Sequence, residues 1–491
     1  MELLFDPSSS ADYERFIRAK SMPSYRIIGH TAIIPDEYAS HFDGKARKAK
    51  EVAYVPSSWL FDYQRDITAL ALRKRKFCVF AACGAGKTFI FLEFARHVSK
   101  VLKRKNVLII SPLMVIKQTL AECHKFYGDS LKIQTIPAKD LADWMVHGSG
   151  IGITNYESIH SGIPQGKLGC LILEESSLLK SQYGTWGQEC IRLGKGLEYK
   201  LALTGTPAPN DRIEYGNHAV FMDAFPTLNS FYARYFVNRG QTDNRWEMKP
   251  HALTPFYRSL SHWCIFLENP ATYGWKDNTA PLPPIEVQIH DVELTKQQQE
   301  LAYDTTRSLF AHHIGGIGSR SVLSQIAKGS HKGEDVDTLK PEFIRRLVDS
   351  WPDESTIIWC WFNAEQSILE RVFPDAASIH GGTPIEVREA LIDDFKNGRK
   401  RVLISKPKVL GYGLNLQVCT RMVFSGLQDS FESYWQCIKR ANRYGSTRPL
   451  NVHIPVTDIE RPMIETVLRK AKRVQEDTEY QERIFRDART V

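Results

Sequence analysis

The sequence predicts an α/β protein of two lobes, each a mainly parallel sheet flanked by helices, with a helical insertion and a small N-terminal extension. Three observations carry that expectation. Apolar runs recur along the chain, each ending in polar or small residues and most followed by a helix-like stretch, the pattern of buried parallel strands alternating with helices. One such run, Phe77-Cys78-Val79-Phe80-Ala81, feeds the small-residue loop Ala82-Cys83-Gly84-Ala85-Gly86-Lys87-Thr88 and then helix-like Phe89 to Ala95. The stiff break Pro281-Leu282-Pro283-Pro284 is followed by the same strand-and-helix grammar again.

At 491 residues the chain exceeds what one core can organise, so several domains are expected. Hydrophobic residues at 43% and charged residues at 24% fit an ordinary globular protein and argue against disorder. The net charge of +8 is a mild basic excess, compatible with a polyanionic partner without identifying one. The nine cysteines contain no C-x-x-C pair, and several lie inside apolar runs. That spacing argues for a reducing compartment and against disulfides or a zinc site. The N-terminus lacks a basic segment followed by a long apolar one, and no run is long enough to span a membrane, so a cytoplasmic location is expected.

Residues 1–55 form the extension, in which Tyr25 to Pro35 reads as strands broken at Gly29 and Lys45 to Lys50 as a basic helical piece. Lobe one is expected over 56–284. Its phosphate loop is the first strong signal, because a strand, a small-residue turn and a helix start point successive backbone N–H groups into a concavity sized for phosphate. Gly84, Ala85 and Gly86 line it, Lys87 reaches the β- and γ-phosphates, and the Thr88 hydroxyl is placed to ligate Mg²⁺. Gln64, on the helix opening at Leu60, has the amide to read an adenine edge and so to select ATP. Strands ending at Ser111 and at Thr154-Asn155 put hydroxyl and amide groups where a polymer backbone would pass.

The second signal is Leu171-Ile172-Leu173-Glu174-Glu175-Ser176-Ser177. Two adjacent carboxylates closing an apolar strand are costly unless a metal or a reacting water satisfies them, which makes Glu174 a Mg²⁺ ligand and Glu175 the water-orienting base. The strand Leu201 to Thr204 then ends in the turn Gly205-Thr206-Pro207. Residues 210–284 are rich in aromatic residues and read as a mainly helical insertion. Lobe two, 285–491, carries a helical tail and the third signal: Gly411-Tyr412-Gly413, then Gln436 with Arg440 and Arg443. At i and i+3 the two arginines would share a helix face and act together on a γ-phosphate. His380 and Lys408 add an imidazole and an ammonium suited to polymer phosphates.

The order Gln64, Gly84 to Thr88, Glu174 to Ser177, Thr204 to Pro207, Gln436, Arg440 and Arg443 resembles superfamily 2 helicases, most closely the Swi/Snf-like ATPases of phages and mobile elements, over about residues 56 to 460. That resemblance implies RecA-like lobes, ATP and Mg²⁺ in the cleft between them, and double-stranded DNA as the track, with Gly413 among the nucleotide contacts. It implies a DNA translocase. A strand-separating DNA or RNA helicase and an ATP-gated nucleic-acid clamp with little turnover are the alternatives. The family usually has aspartate where this chain has Glu174, and shortening Glu174 to aspartate is expected to retain activity.

Overall fold

The computed structural model describes every residue except 43–52, 103, 181–183, 241–245, 277–281, 312–316, 411–414, 429, 443–445 and 490–491. The chain divides into two compact units, Met1–Asn278 with Glu476–Val491, and Thr279–Gln475. The basic stretch 45–50 lies outside the described residues.

Unit 1 is built on a seven-stranded sheet in the order Cys264–Leu267, Lys76–Ala81, Tyr199–Thr204, Leu168–Glu174, Asn106–Ser111, Ile151–Asn155, Ile133–Thr135. Every pairing is parallel. Parallel strands are covered on both faces and so read as unbroken apolar runs. Phe77, Cys78 and Val79, like Val107 to Ile110, have no exposed surface. The helix Lys87–Val101 buries Ile90, Phe91, Leu92, Phe94, Ala95 and Val98, which cover the first strand and its neighbours.

Residues 210–284 are helical only in part. Helices Tyr215–Phe221, Leu228–Tyr235 and Leu253–Trp263 pack their aromatic rings together, with Tyr235 and Phe256 5.3 Å apart and Phe231 and Phe256 6.0 Å apart. A hairpin, Phe236–Asn238 with Trp246–Met248, sits between them. The segment then returns to the sheet as its edge strand, Cys264–Leu267, so it completes unit 1. Its rings form core rather than stacking platforms.

The extension also belongs to unit 1. Glu2–Leu4, Thr31–Ile33 and Arg26–Ile28 make a small antiparallel sheet that turns at Gly29, whose φ of 56° suits a glycine. Leu3, Phe5, Ala19, Ala32, Ile34 and Phe42 give it a core of its own. Glu37 fastens it to the lobe, bonding Lys74 at 2.7 Å and His262 at 2.9 Å. The end of the tail, expected with lobe two, returns here as well: Glu482 accepts the Glu268 N–H at 2.7 Å, Asp477 pairs with Arg212, and Phe485 joins the core.

Unit 2 has a six-stranded, wholly parallel sheet ordered Ile285–Asp291, Leu450–Val456, Arg421–Phe424, Thr356–Trp359, Val402–Ser405, Ala377–Ile379. Helices Lys340–Asp349, Asn363–Val372, Ile385–Lys396 and Phe431–Ala441 are among those flanking it. Among the described residues no helix is long and apolar enough to cross a membrane.

Candidate nucleotide site and its family

The phosphate loop leaves the strand Lys76–Ala81 at its carboxyl end and enters the helix at Lys87. Gly84 and Gly86 have φ of 90° and 68°, which a side chain would strain. At Gly86 space is a second constraint, since a Cβ there would meet Gln64 Nε2 at 2.2 Å. Gln64 is thus buried against the loop rather than held out from it. Its Oε1 accepts the Phe61 N–H at 3.1 Å, and the neighbouring Tyr63 hydroxyl donates to Ala85 O at 3.1 Å. Lys87 is half-buried, and its ammonium donates back to Ala81 O at 2.9 Å and Ala82 O at 3.2 Å. Two neutral carbonyls are weak partners for a cation, so an anion at the helix N-terminus would compete well for it. Thr88 lies one residue further into the helix. The positive-φ glycines, the helix N-terminus and the loosely held ammonium fit a polyphosphate.

Sheet order puts the paired carboxylates beside this loop. Phe80 is in register with Thr204, and Leu203 with Glu174, so one strand separates the loop from the carboxylates at the same sheet end. A Cβ on Gly205 would stand 3.4 Å from both Ala81 O and Cys83 Sγ, so the intervening turn abuts the loop. That turn also reaches the other way, because the Thr204 hydroxyl donates to Glu175 Oε2 at 3.2 Å. Glu175 is half-buried with φ of 51°, a left-handed backbone that a non-glycine residue seldom adopts.

Glu174 is only 7% exposed. Its Oε2 accepts the Ser111 hydroxyl at 2.6 Å, and the Tyr156 hydroxyl donates to its carbonyl at 2.8 Å. Behind it, His218 Nε2 meets Ser176 Oγ at 3.0 Å, and complete burial pushes that imidazole down to about 3, so it stays neutral. These supporting residues were not legible as such in the sequence, because a strand end, two short turns and a helix far apart along the chain are brought together only by the fold.

Two expected polymer contacts are corrected by burial. Ser111 has no exposed surface and spends its hydroxyl on Glu174; Thr154 is 1% exposed and bonds Ile136 O at 2.9 Å. Asn155 caps the turn that follows its strand, accepting the Ser158 N–H at 3.0 Å. His380 is bonded to Glu370 at 2.7 Å, and Lys408 is exposed.

In unit 2, Gln436 and Arg440 are nearly buried on the helix Phe431–Ala441, Gln436 donating to Glu432 at 3.4 Å. The shared helix face expected for Arg440 and Arg443 falls partly outside the described residues. The helix stops at Ala441, where Asn442 turns to ψ of 89° and its amide donates to Pro283 O at 2.7 Å. Arg443, like Gly413, lies outside the described residues.

Residues 78–335, more than half of the chain, match the SNF2-related domain, and residues 339–445 match the helicase conserved C-terminal domain. The chain is 23% identical over 433 residues to protein p41 of Acyrthosiphon pisum secondary endosymbiont phage 1, covering 80% of this chain and 91% of that one. It is 35% identical over 118 residues to the ATP-dependent helicase fft1 of Schizosaccharomyces pombe, covering 23% of this chain and 12% of that protein. A structure titled as the Sulfolobus solfataricus SWI2/SNF2 ATPase core in complex with dsDNA aligns over 89% of this chain and 97% of its own, at 18% identity and a TM-score of 0.41. Glycines, lysine and paired carboxylates at one sheet end, in a chain matched by both domains, place this protein in the SNF2-related family, as an ATPase of the superfamily 2 helicase type and an ATP-dependent nucleic-acid motor.

Proposed function

We propose that this motor is a duplex-DNA translocase that hydrolyses ATP with Mg²⁺ and moves along DNA without separating its strands. The observation that carries the reading is the gathering of the phosphate loop, Thr204 and the Glu174–Glu175 pair at one sheet end of an SNF2-related chain. When bound, MgATP supplies the phosphoanhydride whose cleavage drives motion, the metal shielding charge on the transferred phosphoryl group. Lys87 trades its carbonyl partners for phosphate oxygens. Thr88 and Glu174 would hold the metal, Glu174 being fixed by Ser111. Glu175, oriented by Thr204, aligns the attacking water and takes its proton. Gln64 closes against the loop and reads the base. Arg440 and Arg443 are assigned to the developing negative charge, Gln436 to the catalytic set and Gly413 to the nucleotide. Asn155, His380 and Lys408 are assigned to the polymer backbone.

ATP turnover measured with duplex DNA, single-stranded DNA and RNA tests this, together with displacement of a triplex third strand. Duplex of any sequence is expected to stimulate turnover, with the effect falling steeply as salt rises, and the third strand is expected to leave while a plain duplex stays paired. Unwinding of a blunt duplex would replace translocation by strand separation, and stimulation by RNA alone would overturn the DNA track.

A further inference from the structure

The amino ends of the unit 1 strands carry a feature that the nucleotide chemistry does not use. Lys76 opens its strand and Lys200 lies second in its own, and both reach Asp223, at 2.7 and 2.9 Å. Asp223 holds a left-handed backbone, φ of 57°, which this double ion pair stabilises. Beside it opens a cleft of about 990 Å³. Its walls come from the extension (Tyr25, Arg26), the residues after helix Thr185–Gly194 (Lys195) and helix Leu228–Tyr235 (Arg234).

The charge there is one-sided. Asp223 is the one acidic side chain lining the cleft among the described residues, and two lysines already satisfy it. Arg192, also in the wall, is committed to Glu189 at 2.7 Å and to Ile163 O at 2.8 Å. Arg26, Lys195 and Arg234 have no carboxylate partner among the described residues. Arg234 sits among three rings, its guanidinium carbon 4.4 Å from the centre of Tyr25, 5.4 Å from that of Tyr235 and 5.7 Å from that of Phe225. Ring contacts of this kind hold a guanidinium in place without neutralising its charge.

We propose that this cleft is a second nucleic-acid contact, holding the phosphodiester backbone of another segment of the polymer on which the motor works. The cations come from three separate elements around an open cleft several times the size of a phosphate ion. A row of repeating charges suits that spread better than one small anion does. The strand Lys76–Ala81 separates the cleft from the phosphate loop by its length, about 17 Å at 3.3 Å per residue, so the contact is independent of the nucleotide chemistry. It also gives the extension a task, since Tyr25 and Arg26 complete the wall. The inference rests on the chain being a nucleic-acid motor and not on duplex DNA being its track.

The test is equilibrium binding of the full chain, without nucleotide, to duplex DNA, single-stranded DNA and RNA across a salt series. Arg26→Gln/Lys195→Gln is expected to make the slope of log affinity against log salt shallower by about two for duplex, at 0.9 per lost phosphate contact. Arg26→Lys/Lys195→Arg is expected to keep the parental slope, and both variants to keep the DNA-free ATPase rate. An unchanged slope on all three polymers, or an equal change in the charge-conserving variant, would overturn the proposal. Loss of the slope together with persistent stimulation by RNA alone would leave the cleft standing and the duplex-translocase reading contradicted.

Discussion

The carboxyl ends of the two main sheets follow one architecture and opposite electrostatics. In unit 1 two of the charged groups rest on neutral partners: Lys87 on two carbonyls, and Glu175 on the Thr204 hydroxyl at 3.2 Å. In unit 2 the corresponding end carries, among the described residues, a buried cluster in which charge is paired with charge. Glu460, past the end of strand Leu450–Val456, bonds Lys328 at 2.6 Å and also Lys340, and none of the three is more than 2% exposed. Lys340 donates on to Ser425 O at 2.8 Å, while Glu365 accepts the Trp361 N–H at 2.7 Å and the Ser425 hydroxyl. A Cβ on Gly426 would come within 2.5 Å of Glu460 Oε1, so no space is left. A sheet end meant for a ligand keeps its charges on partners that can be exchanged. A sheet end meant to hold its own loops satisfies them internally, at a desolvation cost that only close pairing offsets.

The contrast breaks first at Lys87. Lys87→Ala is expected to bring ATP turnover to background with no loss of folding, because it removes a half-buried cation and no core volume. Arg440→Ala comes next, with turnover down on the order of 10³-fold and ATP binding nearly unchanged, read by single-turnover kinetics beside equilibrium binding. Glu460→Gln tests the buried cluster. Two buried lysines lose their counter-ion, which costs about 3 to 5 kcal/mol of unit 2 stability in denaturant unfolding. Burial alone would raise the Glu460 carboxyl, but Lys328 and Lys340 hold it below its ordinary 4.5. Its stabilising contribution is therefore full above about pH 4.5 and is lost as pH falls through the depressed folded value, and Glu460→Gln should remove that acid-side dependence.

The smallest effect sharpens the account of Glu174. Ser111→Ala removes the 2.6 Å bond to its carboxylate, worth about 1.5 kcal/mol, so the Mg²⁺ needed for half-maximal turnover should rise roughly tenfold. Glu174→Asp pulls the carboxylate back by about 1.5 Å and should lower activity similarly, with little further loss on adding Ser111→Ala. A double variant showing the full sum of both losses would mean that Ser111 does not position Glu174.

That last expectation reverses the one drawn from sequence, and the reason is topological. The motif residues were legible because each sits in a local pattern: an apolar strand, a glycine turn, a helix start. Ser111 and Glu174 are on neighbouring strands 63 residues apart, and nothing local in either stretch announces the bond. The edge strand Cys264–Leu267 was hidden likewise, being a short apolar run inside an aromatic, helical neighbourhood. The strands Arg421–Phe424 and Leu450–Val456 carried no motif to draw notice, although both are interior strands of the second sheet.

The most direct measurement sets Lys87→Ala against Glu460→Gln in the intact chain, recording ATP turnover with duplex DNA and the denaturant midpoint of each. The account predicts a parental midpoint with background turnover for Lys87→Ala, and a lowered midpoint with near-parental turnover per folded molecule for Glu460→Gln. The reverse pattern, catalysis surviving the loss of Lys87 or vanishing from a folded Glu460→Gln, would contradict the assignment of the chemistry to the unit 1 sheet end.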